Sequence, residues 1–432
     1  MINEKQLTKI AMGYFIFMGL FCRFVECYSL WKLISLILIA MLFLSKKFSA
    51  EMKKFHLNLS FIAMILIIIV SCLHSNTYTY VVGNLLYIFW PLLYLATICC
   101  LVGSNAQIVE RFVDKLFVPL NVFFSFNILL ALIQTTGYPL LIRSSWLAYN
   151  SFYEDLCCGM FGLNGTHEFT TFTLFMNIYI LTYASKSEKR NKKIIYGYLV
   201  LMDLLLLFLS TRNDNVAMFV LLPMFIGLFV LSRIHFHTKK VRKTIKEILK
   251  ISIPLLLLLL VVMNIPYVKH YLDKYVWIRI NMLVNFNKDY FQIAGSNERL
   301  AIVFDALSSA SGWLFGRGFG VADFGGGNYF GYGSFGLSSI GSFIMIGGIW
   351  FYLLFTYQVT RELQYMVCNK TKVDFLGMII FLVVVVYTAY TILYTSFVST
   401  FWFGMIFLEL GVYKRRIDAS KNKNMEQDMN KK

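Results

Sequence analysis

The side chains able to do chemistry are sparse in this 432-residue sequence, and three arginines stand out among them. Arg212 lies in Ser210-Thr211-Arg212-Asn213-Asp214-Asn215, a very short turn between two long apolar runs. Arg299 closes Gly295-Ser296-Asn297-Glu298-Arg299, where Ser or Asn suits a helix cap. Leu300, Val303, Phe304 and Leu307 follow it at i, i+3, i+4, i+7 spacing, one face of a helix. Arg317 sits in Gly316-Arg317-Gly318-Phe319-Gly320, within a stretch that holds thirteen of the 27 glycines between Gly312 and Gly348. A guanidinium matches phosphate oxygens bidentately, so the chemistry open to these residues is the handling of anions.

Each position has a plainer reading beside that one. Arg299 either snorkels or adds to an anion site that a helix N-terminus already favours. Arg212 and Asp214 are either functional residues at a membrane boundary or a pair capping two helices. The glycines either let the chain turn back or bring backbone N–H groups, with Gly318 among them, near an anionic ligand. The 316–320 stretch looks like the start of a dinucleotide fingerprint, but no strand precedes it and no βαβ unit can be built around it.

His167 is the most informative of the six histidines. It ends Gly162-Leu163-Asn164-Gly165-Thr166-His167 and leads, with Glu168, into an apolar run, where a lone His is either a cap or interfacial residue or a contact for a ligand. Asp203 falls mid-run in Leu201-Met202-Asp203-Leu204-Leu205, where an unpaired carboxylate costs roughly 2.5–3.5 kcal/mol. It must be protonated, paired with a basic group or set in a polar cavity. Cys157 and Cys158 are adjacent, and the strain of a vicinal disulfide makes them read as reduced thiols. No metal site has plausible spacing, and no cofactor is implied.

The elements that position these residues are membrane helices. Hydrophobic residues make up 58% of the chain and charged residues 15%, against roughly 25% charged in an average soluble domain. About 20 apolar residues cross a hydrocarbon core. Twelve such runs occur, at about 7–24, 28–44, 57–74, 80–102, 114–135, 168–184, 194–210, 215–232, 251–265, 335–357, 375–393 and 396–413. The expected fold is an all-α polytopic membrane protein, one transmembrane domain over 1–432.

Charge orients it. The net charge of +17 would suggest nucleic acid on a soluble protein. Here thirty of the 40 basic residues fall in alternate connections and the two ends, the positive-inside pattern that sets both termini in the cytoplasm. No segment is long enough for a basic nucleic-acid-binding domain. The first run has no small-residue cleavage site and reads as retained. The 414–432 tail reads as basic, cytoplasmic and disordered. Two outer connections are long, about 136–168 and 266–334, and long ordered loops are usually functional.

Four features in order carry a resemblance: Gly162 to His167 leading into a span, the Ser-Thr-Arg turn at 210–212, a long outer loop with Arg299 and then Gly316-Arg317-Gly318, and a Gly-rich span after it. Over roughly 160–350 the chain resembles the O-antigen polymerase (Wzy-type) and O-antigen ligase superfamily. The resemblance implies a metal-independent glycosyltransferase of GT-C-like architecture in the bacterial inner membrane. It would use undecaprenyl-diphosphate-linked oligosaccharides on the outer face, with membrane lipid around it and a chain-length regulator as a candidate partner. It implies catalytic roles for Arg212, Arg299 and His167, and substrate contacts from Arg317, Gly318, Asp214 and Asp323.

One departure separates the branches. Ligases of the family carry a His just before the Gly-containing span that follows the loop, whereas this chain reads Tyr332-Gly333-Ser334-Phe335-Gly336-Leu337-Ser338-Ser339. That favours a polymerase of O-antigen or capsule over a ligase. It leaves the general base open among His167, Glu168 and Asp323. A twelve-span transporter or flippase is the alternative of another class, but carriers are usually two related halves and the 266–334 loop has no counterpart in the first half.

Overall fold

A computed structural model describes residues 4–56, 59–73, 78–149, 153–162, 165–186 and 189–213, with 215, 218, 221–222, 264, 266, 269–270, 273, 277, 314–316, 318–320, 343–344, 347–357, 402, 405–406 and 408–409. Among the described residues the chain is helical and contains no strand. The elements are α1 (Glu4–Val25), α2 (Tyr28–Phe43), α3 (Lys46–His56), α4 (Leu59–Leu73), α5 (Val81–Lys115), α6 (Phe117–Gln134), α7 (Ser144–Tyr149), α8 (Thr166–Lys186) and α9 (Lys189–Ser210). Two short 3-10 turns, Tyr153–Leu156 and Gly159–Phe161, lie between α7 and α8.

The helices expose apolar side chains and bury polar ones within an otherwise apolar core. Along α6, Val118, Val122, Phe126, Leu129 and Ile133 are exposed, at helical spacing, while Asn127 and Gln134 are fully buried. On α9, Leu201, Leu204 and Phe208 are exposed, while Asp203 and Ser210 are buried. Water selects the opposite arrangement, since exposed apolar stripes of this length are rare on soluble monomers. Lipid tolerates them and leaves the protein to satisfy its own polar groups. Among the described residues, Phe117–Gln134 and Asn191–Ser210 are each long and apolar enough to cross a membrane. A third candidate is the bent pair Ser29–Phe43 and Lys46–Lys53. The protein is therefore consistent with a helical membrane protein. Most of the chain beyond residue 222, including most of the 266–334 loop and all of the 414–432 tail, lies outside the described residues.

Helix α8 is the centre. Every residue from Glu168 to Thr182 is buried. It packs against α6 and α9, and its aromatic side chains mesh with neighbours: Phe172 contacts Phe123, Phe124 and Phe161 with ring centroids 5.4–5.8 Å apart. Trp402 closes the same cluster, 4.5 Å from Phe172, and its indole N–H donates to Gly19 O of α1. Residues near the two ends of the chain thus meet at one core.

Two differences from the expected spans have physical causes. The 45–56 stretch reads as a polar connection but forms α3, turned 102° from α2. Ser45 starts it by accepting from the Phe48 N–H, and Phe48 and Met52 are buried while Lys46 and Lys47 stay exposed. An amphipathic helix of this kind lies along an interface rather than across it. Helix α5 runs past the expected end at 102 to Lys115, because Ala106, Val109 and Val113 supply a buried face. It is interrupted at Asn105, which adopts φ −139°, ψ 40°.

Side-chain contacts tie the ends of the helices together. At one end the Glu4 carboxylate of α1 accepts from Ser45 Oγ (2.8 Å) and Asn105 Nδ2 (3.1 Å). At the opposite end Glu26, after α1, pairs with Arg143 (3.1 Å) and accepts from Trp146 Nε1 (2.5 Å). Arg143 also donates to Phe24 O and lies over the Phe24 and Trp146 rings. The connections at Ser45 and Asn105 thus meet at the Glu4 end of α1, and those at Glu26 and Arg143 meet at its other end.

Hydrogen bonds from Ser45 and Asn105, with Lys47 nearby, hold the Glu4 carboxyl below its ordinary 4.5. A carboxylate with a lowered folded pKa stabilises the fold above the unfolded pKa, and the contribution is lost as pH falls through the folded value. Glu4→Gln should cost about 0.5–1 kcal/mol at neutral pH after solvent screening. In thermal unfolding of the detergent-solubilised chain, its gap to wild type should close as the pH drops below 4.5.

Candidate functional site

The site is built from two carboxamides on α6. Asn127 and Gln134 are seven residues apart, two turns along one face, and both are fully buried. They hold the connection before α8 by standing in for backbone. Asn127 Oδ1 accepts from the Met160 N–H (2.7 Å), and its Nδ2 donates to Cys158 O (3.4 Å). Gln134 Oε1 accepts from the Gly159 N–H (2.8 Å), and its Nε2 donates to Leu140 O (2.9 Å). Tyr153 adds a bond to Gln134 O (2.9 Å). Burial and the neighbouring Cys157 raise the Tyr153 hydroxyl above its ordinary value, which keeps it a donor.

Two glycines make this close approach feasible. Gly159 has φ +66°, and a Cβ there would stand 2.3 Å from Asn127 Oδ1. Gly162 has φ 66°, ψ −154°, a conformation almost confined to glycine, with Trp146 against its Cα. Cys157 and Cys158 are buried thiols, in accord with the reading from sequence.

The turn after α9 is tied to the same connection. Asn213 Nδ2 donates to Cys157 O (3.0 Å). Asn215 Nδ2 donates to Thr170 Oγ1 (2.8 Å) and lies 3.3 Å from Thr166 O, and its Oδ1 accepts from the Met218 N–H (3.1 Å). The Gly162–His167 segment and the Ser210–Asn215 turn, about fifty residues apart in sequence, are therefore held side by side.

Of the expected site residues, His167 occupies the second position of α8, half-buried, and Glu168 follows it, buried. Arg212 is exposed at the end of α9 with its guanidinium over the Phe208 ring (5.6 Å). The ring backs the guanidinium from one side on an otherwise exposed residue. Gly318 has φ +104° and leads into Phe319, which is buried against Phe351 and whose carbonyl accepts from Asn84 Nδ2 (2.7 Å) at the start of α5. Gly348, at φ +76°, would bring a Cβ within 2.2 Å of Leu314 O, so this glycine lets the chain approach closely. Arg299, Arg317, Asp214 and Asp323 lie outside the described residues. No group of side chains fit to hold a metal ion occurs among the described residues.

Deeper between α8 and α9, Asp203 is buried beside Asn177, whose Nδ2 donates to Thr173 O (2.9 Å). Of the three alternatives open for Asp203, the described residues supply polar neighbours. Glu409 is a further buried carboxylate, in addition to Asp203 and Glu168, and accepts from Thr182 Oγ1 (3.2 Å). Asn127, Gln134 and Glu409 do not stand out from the sequence as site residues. Their signal was a polar side chain inside an apolar run, which marks an inward-facing position.

No protein-family model matches the chain, and no curated protein does.

Gln134→Leu strips partners from the Gly159 N–H and Leu140 carbonyl. It should destabilise the fold by about 1–3 kcal/mol for each group left unsatisfied. Maleimide labelling at Cys157 and Cys158, followed by peptide mapping, should be slow in the native chain and several-fold faster in this variant. Equal labelling rates would show that the carboxamide does not hold the connection.

Proposed function

We propose that this chain is a twelve-span polysaccharide polymerase of the bacterial inner membrane, with both termini in the cytoplasm. It would join undecaprenyl-diphosphate-linked oligosaccharide repeats on the outer face. The observation that carries this reading is that the Ser210–Asn215 turn is fastened on both sides of the Gly162–His167 segment, Asn213 to Cys157 O before it and Asn215 to Thr170 after it, with Asn215 Nδ2 also 3.3 Å from Thr166 O. These are two of the four features behind the resemblance, and they form one locus at the end of the bundle that carries Glu26 and Arg143.

The reaction forms one bond and breaks one. A hydroxyl oxygen on the terminal sugar of the lipid-linked acceptor attacks the anomeric carbon of the growing glycan. The bond from that carbon to the diphosphate oxygen breaks, and the electron pair leaves with undecaprenyl diphosphate. Negative charge builds on the leaving oxygens, so fixed guanidiniums lower the barrier. Arg212, exposed at the end of α9, is suited to that role, joined by Arg299 and Arg317. The acceptor proton passes to a general base, for which His167 and Glu168 on the first turn of α8 are the candidates within the described locus.

The buried Asp203 beside Asn177 favours a second reading, a carrier, because ionisable residues at membrane depth often mark a transport path. Purified chain in vesicles separates the two: a polymerase elongates a lipid-linked repeat supplied alone, and a carrier moves substrate without forming a bond. A ligase requires a second acceptor.

In cells, Arg212→Ala and Arg299→Ala should each leave the protein inserted but reduce the surface glycan to single repeats. The loss of polymerisation rate should be about a hundredfold or more. A glycan ladder of normal length from both variants would sink the assignment.

A further inference from the structure

The end of the bundle opposite the candidate site holds a cavity of about 770 Å³. Five cations line it: Lys5 and Lys9 from α1, Lys47 from α3, and Arg111 and Lys115 from α5. Among the described residues no carboxylate lines it. Glu110 and Asp114 of α5 are not in its lining, and the neighbouring Glu4 carboxylate, held by Ser45 and Asn105, offsets Lys47 alone among the five.

The positive-inside pattern explains basic residues at this end but not their convergence. Lys5 with Lys9, and Arg111 with Lys115, are i, i+4 pairs on one helix face, a spacing at which like charges repel. Three helices then turn those faces toward one space. The wall is shaped by the break at Asn105, whose side chain is fastened to Glu4 and lies 3.3 Å from Thr8 Oγ1. The 102° turn into α3 brings Lys47 to the same edge. Ile108 and Phe112 add an apolar surface beside the cations.

We propose that this basin binds a phosphate anion, the headgroup of an anionic phospholipid or a soluble phosphate. The chemistry is shared by both sources: oxygens of a phosphate meet lysine and arginine in a basic pocket between helices at a membrane face. The apolar wall suits the glycerol and upper acyl chain of a lipid. The site is independent of the polymerase reading, since it lies at the other end of the bundle.

The test uses the full chain purified in neutral detergent. It is titrated with dioleoyl phosphatidylglycerol, with dioleoyl phosphatidylcholine and with inorganic phosphate, and the rise in unfolding midpoint gives an apparent Kd. Phosphatidylglycerol should stabilise saturably and phosphatidylcholine should not. Inorganic phosphate acting alone at comparable concentration supports the site and identifies a soluble ligand, whereas phosphatidylglycerol acting alone identifies the lipid. Lys9→Gln with Arg111→Gln should weaken binding about 25-fold, roughly fivefold for each cation removed. Lys192→Gln with Lys193→Gln, at the start of α9 and outside the basin, should bind as wild type does. If the double basin variant is too unstable to measure, Gln107→Glu sets a carboxylate in the basin on an exposed side chain and should produce the same loss. Wild-type affinity in the basin variants, or no response to either phosphate source, overturns the proposal.

Discussion

A polar group inside a bilayer has no water to fall back on, so the protein must supply every partner. The architecture around α8 follows from that constraint. The connection before α8 turns back among the helices, and its backbone there would be intolerable without donors and acceptors from elsewhere. Asn127 and Gln134 provide them from one face of α6. The Gly159 conformation follows, because only a residue without a Cβ can come so close to Asn127. The burial of Cys157 and Cys158 follows as well, and with it the carbonyl that receives Asn213. One pair of carboxamides thus fixes the position of the turn that carries Arg212.

The same rule works at both ends of the bundle with different chemistry. At one end an acid, Glu4, gathers the hydroxyl and amide of two connections. At the other, Glu26 gathers a guanidinium and an indole, and aromatic faces enclose the cation. Between them the contacts are mostly apolar and aromatic, with Phe172 and Trp402 near the middle. Polar links set which connections meet, while packing sets how tightly the helices close.

Much of the helical plan was legible in the sequence, because long apolar runs have few alternatives. Lysine and arginine alone put the connections at 25–27 and 136–168 on the same side, and in the structure Glu26 and Arg143 bring those two connections together. Other features were hidden for identifiable reasons. The 45–56 stretch has too many charges to look like a membrane element, and only its buried Phe48 and Met52 reveal an amphipathic helix. The stretch after Asn105 was likewise obscured by its polar residues. At the candidate site, sequence singled out His167 and Arg212 by residue type. It could not show that Asn213 and Asn215 fasten their segments together, since that depends on contacts about fifty residues apart. Arg299, Arg317, Asp214 and Asp323 rest on the sequence alone.

Helix α8 has a bearing on how the protein is made. It is enclosed on every side from Glu168 to Thr182, yet it carries Thr170, Thr171, Thr173 and Asn177, and it is not among the helices apolar enough to cross a membrane unaided. A segment like that gains little by leaving the translocation channel alone into lipid. Its threonines and asparagine become tolerable only once α6 is waiting and α9 arrives. Biogenesis would then be ordered by partnership: α8 is held back at the channel until its neighbours form a slot for it, and the locus at its N-terminus is completed at that step.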